Sequence, residues 1–278
     1  MEKSIISYAS GGLGNILLPL SSCKAIANKT GRKLIVCWEP TFACMSTFKD
    51  LFEDDDVQVI SKNDLLSFDD VKIYGNLHDI QFDSTLFSNN SLNSLTNKFL
   101  TLPVANLNIE DKEKNVIVYH NNILPTLDSK ESIEEFKNLK WNSQILSEIN
   151  GLLKDLNIDK SVYGAHARAT DFSEGIDVYT NAISAILSTN MNAKIFLCSD
   201  SEEWENNLCN MFPNNVFVRQ KKAVVTKNNE QLGTWSNNIF RSSDSVIEAV
   251  IDMYLLSKTN FVIYNGHSSF SQMIKHLM

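Results

Sequence analysis

Basic charge is in short supply in this chain. Among 278 residues, 25 Lys and Arg stand against 33 Asp and Glu, a formal net charge of −8. A nucleic-acid grip normally shows a basic patch or a high pI, so no nucleic-acid partner is expected. A small phosphate-bearing ligand stays open, since a few local cations suffice for it. Long apolar runs are missing too. No stretch approaches the ~18 residues of a membrane span, and the best candidates are cut by Glu248, Asp252 or Lys258. The opening residues, Met1 to Tyr8, carry no signal-peptide core. Cysteine is sparse and odd in number: Cys23, Cys37, Cys44, Cys198 and Cys209 form no C-x-x-C pair and have no histidine cluster beside them. That pattern speaks for reduced thiols and against a disulfide frame or a zinc site. Together these absences predict a cytoplasmic globular protein, and 43% hydrophobic with 21% charged residues suits a folded chain.

What the sequence does contain is alternation. Ser4–Ala9 is a short apolar run that stops at Gly11-Gly12-Leu13-Gly14-Asn15, and Ile16, Leu17, Leu20, Cys23, Ala25 and Ala27 then recur at helical spacing. Pro19 falls in the first turns, where proline is better tolerated. Gly31 ends that helix, and Lys33–Trp38 reads as a strand buried on both faces. Strand, glycine turn, helix and strand make a βαβ unit and predict a parallel sheet. From Thr41 to Leu107 the pattern is poorer. Val57–Ile60 and Val71–Tyr74 read as short strands among polar stretches such as Asp83–Asn97, decorating the first sheet. Asn115–Tyr119 is a further strand, and Ile133–Leu156 reads as one long helix. The second half is predicted as strands at Ser161–Ala165, Lys194–Cys198, Asn215–Val218 and Asn260–Tyr264. Helices at Val178–Leu187, Glu202–Met211, Ser245–Leu256 and Ser268–Leu277 alternate with them. Two α/β domains, 1–155 and 156–278, follow, with a ligand cleft off the carboxyl ends of their strands.

Three stretches carry chemistry. Gly12 and Gly14, with Asn15, open the first helix, where free N–H groups and close backbone approach suit an anion. The same stretch is also compatible with a plain tight turn. A dinucleotide fingerprint would need a third glycine where Leu17 stands, although Glu39 ends the second strand where a ribose-binding acid would sit. The second stretch is His166-Ala-Arg168-Ala-Thr170-Asp171. An arginine at the end of a parallel strand can fork onto a diphosphate, with His166 adding a donor and Asp171 orienting Arg168. The plain alternative is a routine Arg–Asp pair. The third is Ser245–Ser271, where Ser268 and Ser269 open the last helix and Asp252 sits mid-helix among apolar neighbours. The serines are an anion site or an ordinary N-cap. Asp252 either meets a polar ligand edge such as a guanine or faces solvent.

These pieces, in this order, resemble the GDP-fucose-dependent fucosyltransferase superfamily, especially its NodZ-like and α1,6-fucosyltransferase branch. G-G-L-G-N-I-L-L-P-L with the following T-G-R-K-L is similar to the branch's glycine loop, helix and second strand. H-A-R-A-T-D resembles its H-x-R-x-T-D motif, and the run from Ser245 through D-M-Y-L-L-S to Ser268-Ser269 resembles its closing element. Ile195–Asp200 (I-F-L-C-S-D) adds to the match, while residues 41–150 carry none of it. The resemblance implies a GT-B architecture, two Rossmann-like domains facing a cleft, with the donor held mainly by the second. It implies a GDP-sugar donor, most directly L-fucose, inversion at the anomeric carbon, and no metal or other cofactor. By position, Arg168 would bind the β-phosphate, His166 the nucleotide, Asp252 the guanine, and Ser268 and Ser269 the diphosphate. Two departures stand out: Ala169 where the branch often has a second arginine, and Phe172 where it commonly has lysine. Lys221, Lys222, Lys227 or Arg241 could replace the missing charge, although the loop from Arg219 to Arg241 otherwise reads as a solvated basic turn.

Breaking a sugar–diphosphate bond needs the leaving charge stabilised and the acceptor hydroxyl deprotonated. Arg168 is the candidate for the first task. Glu174 and Asp177 lead as the base, with Glu39 and Asp79 as outsiders. Asp54-Asp55-Asp56 reads as an acidic turn, not a metal site. The expectation is therefore an inverting GDP-sugar glycosyltransferase acting on a glycan or lipid-linked oligosaccharide, in the cytoplasm or at the inner membrane face. An NAD(P) oxidoreductase, a transferase of another GDP-sugar and a non-catalytic binding module are the alternatives.

Overall fold

A computed structural model describes residues 3–9, 11–69, 71–75, 101–107, 115–119, 124, 129–169, 174–227 and 239–278. The chain divides into two compact units, Met1–Trp141 and Asn142–Met278. The expectations at Asp79 and Asp83–Asn97 lie outside the described residues, as do those at Thr170, Asp171 and Phe172.

Unit 1 is built on a six-stranded sheet in the order β3-β2-β1-β6-β4-β5. Its strands are β1 (Ser4–Ala9), β2 (Lys33–Trp38), β3 (Gln58–Ile60), β4 (Val71–Gly75), β5 (Thr101–Leu102) and β6 (Asn115–Tyr119). Every pairing is parallel, with Ser4 opposite Lys33 and Ala9 opposite Trp38. The short runs expected to decorate the sheet are thus integral to it, with β4 seated between β6 and β5. Helix α1 (Leu13–Thr30) connects β1 to β2. Thirteen of its 18 residues are buried, because it packs against both the sheet and helix α4 (Ser129–Lys137). Gly31 ends it at φ +65, a left-handed conformation that costs glycine nothing. Pro19 lies in its second turn, where it removes one intrahelical donor. Two one-turn helices, α2 (Phe48–Leu51) and α3 (Lys62–Leu65), and a 3-10 turn at Val104–Asn106 are also described in this unit.

The single long helix expected over 133–156 is two: α4, and α5 (Ser143–Asp155). The break has a local cause. Asn142 caps α5, its side chain accepting from the Gln144 N–H at 2.9 Å, and Trp141 packs on Phe52 with ring centroids 4.5 Å apart. A strong cap and an anchored aromatic outweigh the apolar periodicity that runs on through both helices.

Unit 2 carries a four-stranded parallel sheet in the order β12-β7-β8-β9, from β7 (Tyr163–Ala167), β8 (Ile195–Ser199), β9 (Val216–Phe217) and β12 (Val262–Tyr264). Helices α6 (Ile176–Thr189), α7 (Glu202–Met211), α8 (Ser243–Ser257) and α9 (Ser269–Leu277) alternate with the strands. A small antiparallel pair, β10 (Thr226–Lys227) with β11 (Ile239–Phe240), is inserted before α8. The chain winds outward from β7 to β9, then returns to β7's other side as β12. The strand order therefore reverses between β7 and β12, and ligands of open α/β sheets bind beyond the carboxyl ends of the strands at such a point. Gly164 on β7 lets this packing close. A Cβ there would stand 2.7 Å from Thr259 Oγ1 and 3.0 Å from side-chain atoms of Leu256 and Val262. Among the described residues no helix is long and apolar enough to cross a membrane.

Candidate active site

The H-A-R stretch and the serines of the last helix converge at the β7/β12 switch point. His166 pairs in register with Tyr264 across the two strands. Its side chain is buried, with Nδ1 2.8 Å from Ser271 Oγ and the ring against Phe270 at 4.8 Å. Burial, reinforced by the Arg168 charge, pushes the imidazole down to about 4, so the ring is neutral at pH 7. Ser268 caps α9, its hydroxyl accepting from the Ser271 N–H at 3.3 Å. The N-cap reading of this serine is thus realised, and Ser269 is the first residue of the helix.

Arg168 follows the last residue of β7. Its N–H donates to the Tyr179 hydroxyl of α6 at 3.1 Å, and its Nη1 lies 2.9 Å from Asp200 Oδ2. The other oxygen of Asp200 accepts the Ala169 N–H at 2.8 Å. Arg241, just past β11, brings Nη2 to 4.0 Å from the same Oδ2. Asp200, one residue beyond β8, therefore holds both the side chain of Arg168 and the backbone after it. The carboxyl end of β8 is itself pinned. Ser199 donates its hydroxyl to the Ala167 carbonyl (2.7 Å) and its N–H to Glu205 (2.8 Å), while Lys221 donates to the Ser199 carbonyl (2.7 Å).

Behind this edge lies a buried ion network. Arg219 donates from Nε to Asp252 at 2.6 Å and from Nη2 to the Glu248 carbonyl at 2.8 Å, and it pairs with the Glu248 carboxylate. Lys221 meets Glu205 at 2.6 Å and Asp252 at 3.4 Å. Burial works against both cations, yet Asp252 and the surrounding carboxylates more than offset it and hold them charged. Burial in turn raises the Glu205 carboxyl against the pull of Lys221.

This network corrects two expectations. The stretch opening at Arg219 is not a solvated turn at its start, because Arg219 is 5% exposed. Asp252 neither faces solvent nor presents a free edge to a base, since its two oxygens face Arg219 and Lys221 and it is 6% exposed. Elsewhere, Glu39 accepts the Lys62 N–H at 2.9 Å and pairs with Lys62 Nζ at 3.1 Å, which commits it to the start of α3. Asp54 sits between Lys24 (3.5 Å) and Lys140 (3.1 Å), with Lys140 also on Asp56, as an acidic turn should. Gly12 is the N-cap of α1, with Gly11 at φ +82, Gly14 buried and Asn15 half-buried. Glu174 and Asp177 are exposed at the entrance to α6, with Gly175 as its N-cap. Asp171 lies outside the described residues. Among those residues no group of three or more His, Cys, Asp or Glu side chains is arranged to hold a metal ion. The five cysteines are free thiols, four of them buried.

Sequence patterns alone assign no role to Asp200, Tyr179 or Arg219. For Asp200 a signal was available: it ends the strand next to β7, and neighbouring parallel strands present their carboxyl ends side by side. Nothing in the spacing marks Tyr179 or Arg219.

Comparison with known proteins bears on the fold and the family. A crystal structure of NodZ α-1,6-fucosyltransferase soaked with GDP-fucose superposes with a TM-score of 0.65 at 20% identity, covering 100% of this chain and 93% of that one. The fucosyltransferase NodZ from Bradyrhizobium gives 0.64 at 20% identity, covering 99% and 93%. POFUT1 in complex with GDP-fucose gives 0.58 at 11% identity, covering 100% and 94%. Against curated protein sequences the comparison returns no match. The fold is thus the GT-B fold of these enzymes, two Rossmann-like α/β units in one chain. The sequence profile of nodulation protein Z matches residues 1–278, the whole chain, which therefore belongs to the NodZ family.

Proposed function

We propose that the protein transfers L-fucose from GDP-fucose to a hydroxyl of a glycan acceptor. The observation that carries this reading is the fixed guanidinium of Arg168, beyond the end of β7 at the switch point, held by Asp200 at 2.9 Å. The fold is shared with a NodZ α-1,6-fucosyltransferase whose crystal was soaked with GDP-fucose and with POFUT1 in complex with GDP-fucose. The acceptor oxygen attacks the anomeric carbon from the face opposite the diphosphate, and the bond from that carbon to the β-phosphate oxygen breaks, inverting the centre. The acceptor's proton passes to Glu174 or Asp177, and GDP leaves with the bonding electrons. Arg168 stabilises the charge gathering on the β-phosphate. It is worth most because it is fixed beforehand and largely shielded from water. Neutral His166 adds no repulsive or attractive charge and holds the nucleotide by its ring, with Ser268, Ser269 and Asp171 as further contacts. Asp252 acts from behind, fixing Arg219 and Lys221 against the end of β8. With protein cations facing the leaving group, no metal is required. The acceptor is a glycan or lipid-linked oligosaccharide met in the cytoplasm or at the inner membrane face.

Wild type and Arg168→Ala, incubated with EDTA, GDP-fucose or GDP-mannose and a glycan panel, test this. GDP should be released from GDP-fucose by wild type, and hundreds-fold more slowly by the variant, on the order of 3–4 kcal/mol in the barrier for one preorganised donor. No GDP release from wild type, or equal activity in the variant, would overturn it. A dinucleotide-dependent oxidoreductase is disfavoured by Glu39, whose carboxylate is spent on Lys62. Stabilisation of the protein by NAD alone would revive that alternative.

A further inference from the structure

The departure at Ala169 leaves one cation short. A nucleoside diphosphate carries at least two negative charges and gains more as it leaves, whereas Arg168 supplies a single positive one. Five cations lie between β9 and α8, and the described side chains differ in what they already hold. Arg219 is enclosed by Asp252 and Glu248. Lys221 directs its ammonium at the Ser199 carbonyl, Glu205 and Asp252, which accounts for its three donors. Lys222 is on the surface, paired at 2.6 Å with Glu148 of α5. The side chain of Lys227 is not among those described. Arg241 differs from the other three, because its guanidinium stands at the carboxylate oxygen that holds Arg168.

Resting on the GDP-fucose reading above, we propose that Arg241 is the second diphosphate-binding arginine of this protein. It takes the place of the arginine that Ala169 lacks, with Asp200 holding both guanidiniums at one spot. Arg168 and Arg241 are comparably shielded, with 18% and 17% of their side chains exposed, and Asp200 is 10% exposed. Asp200 thus gathers both guanidiniums within 4.0 Å of one oxygen, so a single ligand can meet the two together. Planar guanidinium forks also match phosphate oxygens two at a time, which favours arginine over lysine for this role. The anchorage of Arg241 is rigid on its carboxyl side. Ser242 caps α8 by accepting from the Ser245 N–H at 3.2 Å, and its carbonyl accepts the Val246 N–H at 3.0 Å. The second arginine thus comes from the start of α8 instead of the motif on β7, and a scan for adjacent arginines would not find it.

Binding of guanosine, GMP and GDP to the full chain, by calorimetry or by competition, reads this out. Wild type should gain affinity at each added phosphate. Arg241→Ala should lose about tenfold or more in GDP affinity, as expected for a charge-assisted contact, with guanosine affinity unchanged. The loss in the Arg168→Ala/Arg241→Ala pair should depart from the product of the single losses, because both guanidiniums share one ligand and one carboxylate. Should Arg241→Ala fail to fold, Arg241→Gln, which keeps amide donors without the charge, serves instead and should show the same phosphate-dependent loss. An unchanged GDP affinity, or an equal loss for guanosine and GDP, overturns the inference while leaving the fucosyltransferase reading in place. A wild type that does not distinguish GDP from guanosine overturns that reading, and the inference with it.

Discussion

Acid should destabilise this protein through one imidazole. His166 is 4% exposed, against Phe270 and 2.8 Å from Ser271 Oγ, and burial beside Arg168 lowers it from 6.5 to about 4. The folded chain therefore prefers the neutral ring, whereas the unfolded chain takes up a proton near 6.5. The stabilisation is fully present above pH 6.5 and drains away as pH falls through 6.5 towards 4, because the unfolded state then binds more protons. A tenfold difference in proton affinity is worth about 1.4 kcal/mol, so the drop across that window is of order 3 kcal/mol. That is a large part of the roughly 5–15 kcal/mol that holds a domain folded. Urea unfolding followed by tryptophan fluorescence from pH 7.5 to 4, compared between wild type and His166→Asn, isolates the effect. The asparagine keeps a polar partner for Ser271 but does not titrate. Stability lost between pH 6.5 and 4 should be greater in wild type by about 3 kcal/mol. Parallel pH profiles in the two proteins would refute the assignment of a depressed, buried imidazole. Carboxylates titrate alike in both, so they cancel in the comparison.

Two substitutions away from Arg168 and His166 test the scaffold. Gly164→Ala should destabilise by about 1–3 kcal/mol in urea melts through overpacking. Its Cβ meets Thr259 Oγ1 at 2.7 Å, and that hydroxyl is buried and bonded to the Leu256 carbonyl, so it cannot swing aside cheaply. A neutral outcome would mean that the contact between α8 and β7 is looser than described. Arg219→Met should cost about 3–5 kcal/mol, because it strands two buried carboxylates, Asp252 and Glu248, with Lys221 the nearest cation left to Asp252. A loss below about 1 kcal/mol would show that the network tolerates a gap and does not brace the end of β8.

The parts of this fold that could be read from sequence are those governed by local rules. The glycine turn after β1, the apolar face of α1, the continuous apolar run of β2 and the βα alternation of unit 2 each follow from periodicity and turn chemistry. What periodicity cannot see is where a pattern is interrupted by a better local bond. The Asn142 cap and the Trp141–Phe52 contact split one apparent helix into α4 and α5, and both depend on which groups are free to bond. Strand ends moved for a related reason: β7 runs to Ala167 instead of stopping at Ala165, because its partner β8 continues in register to Ser199. A pairing partner sets an edge that a one-dimensional pattern leaves vague.

The site divides along the same line. The placing of Arg168 and His166 at the carboxyl end of β7 could be read from the sequence, because the end of a parallel strand is marked by local pattern whatever the rest of the chain does. Their partners could not, because Asp200, Tyr179, Ser271 and Arg241 lie 11 or more residues away along the chain, and folding alone brings them together. Asp252 shows the converse error. A carboxylate among apolar neighbours on a helix reads as either a ligand contact or a solvent-facing residue. The third possibility, a buried counter-ion, requires knowing that Arg219 and Lys221 return to the same spot from the far side of β9. The acidic composition takes on a different meaning in that light. The charge of −8 is no measure of the field at the carboxyl ends of β7 and β8. There, Arg168 and Arg241 share the Asp200 carboxylate, while Arg219 and Lys221 draw Asp252, Glu248 and Glu205 behind the sheet edge. An acidic protein can therefore gather cations at one sheet edge, because its nearby carboxylates are each committed to a cation within that edge or behind it.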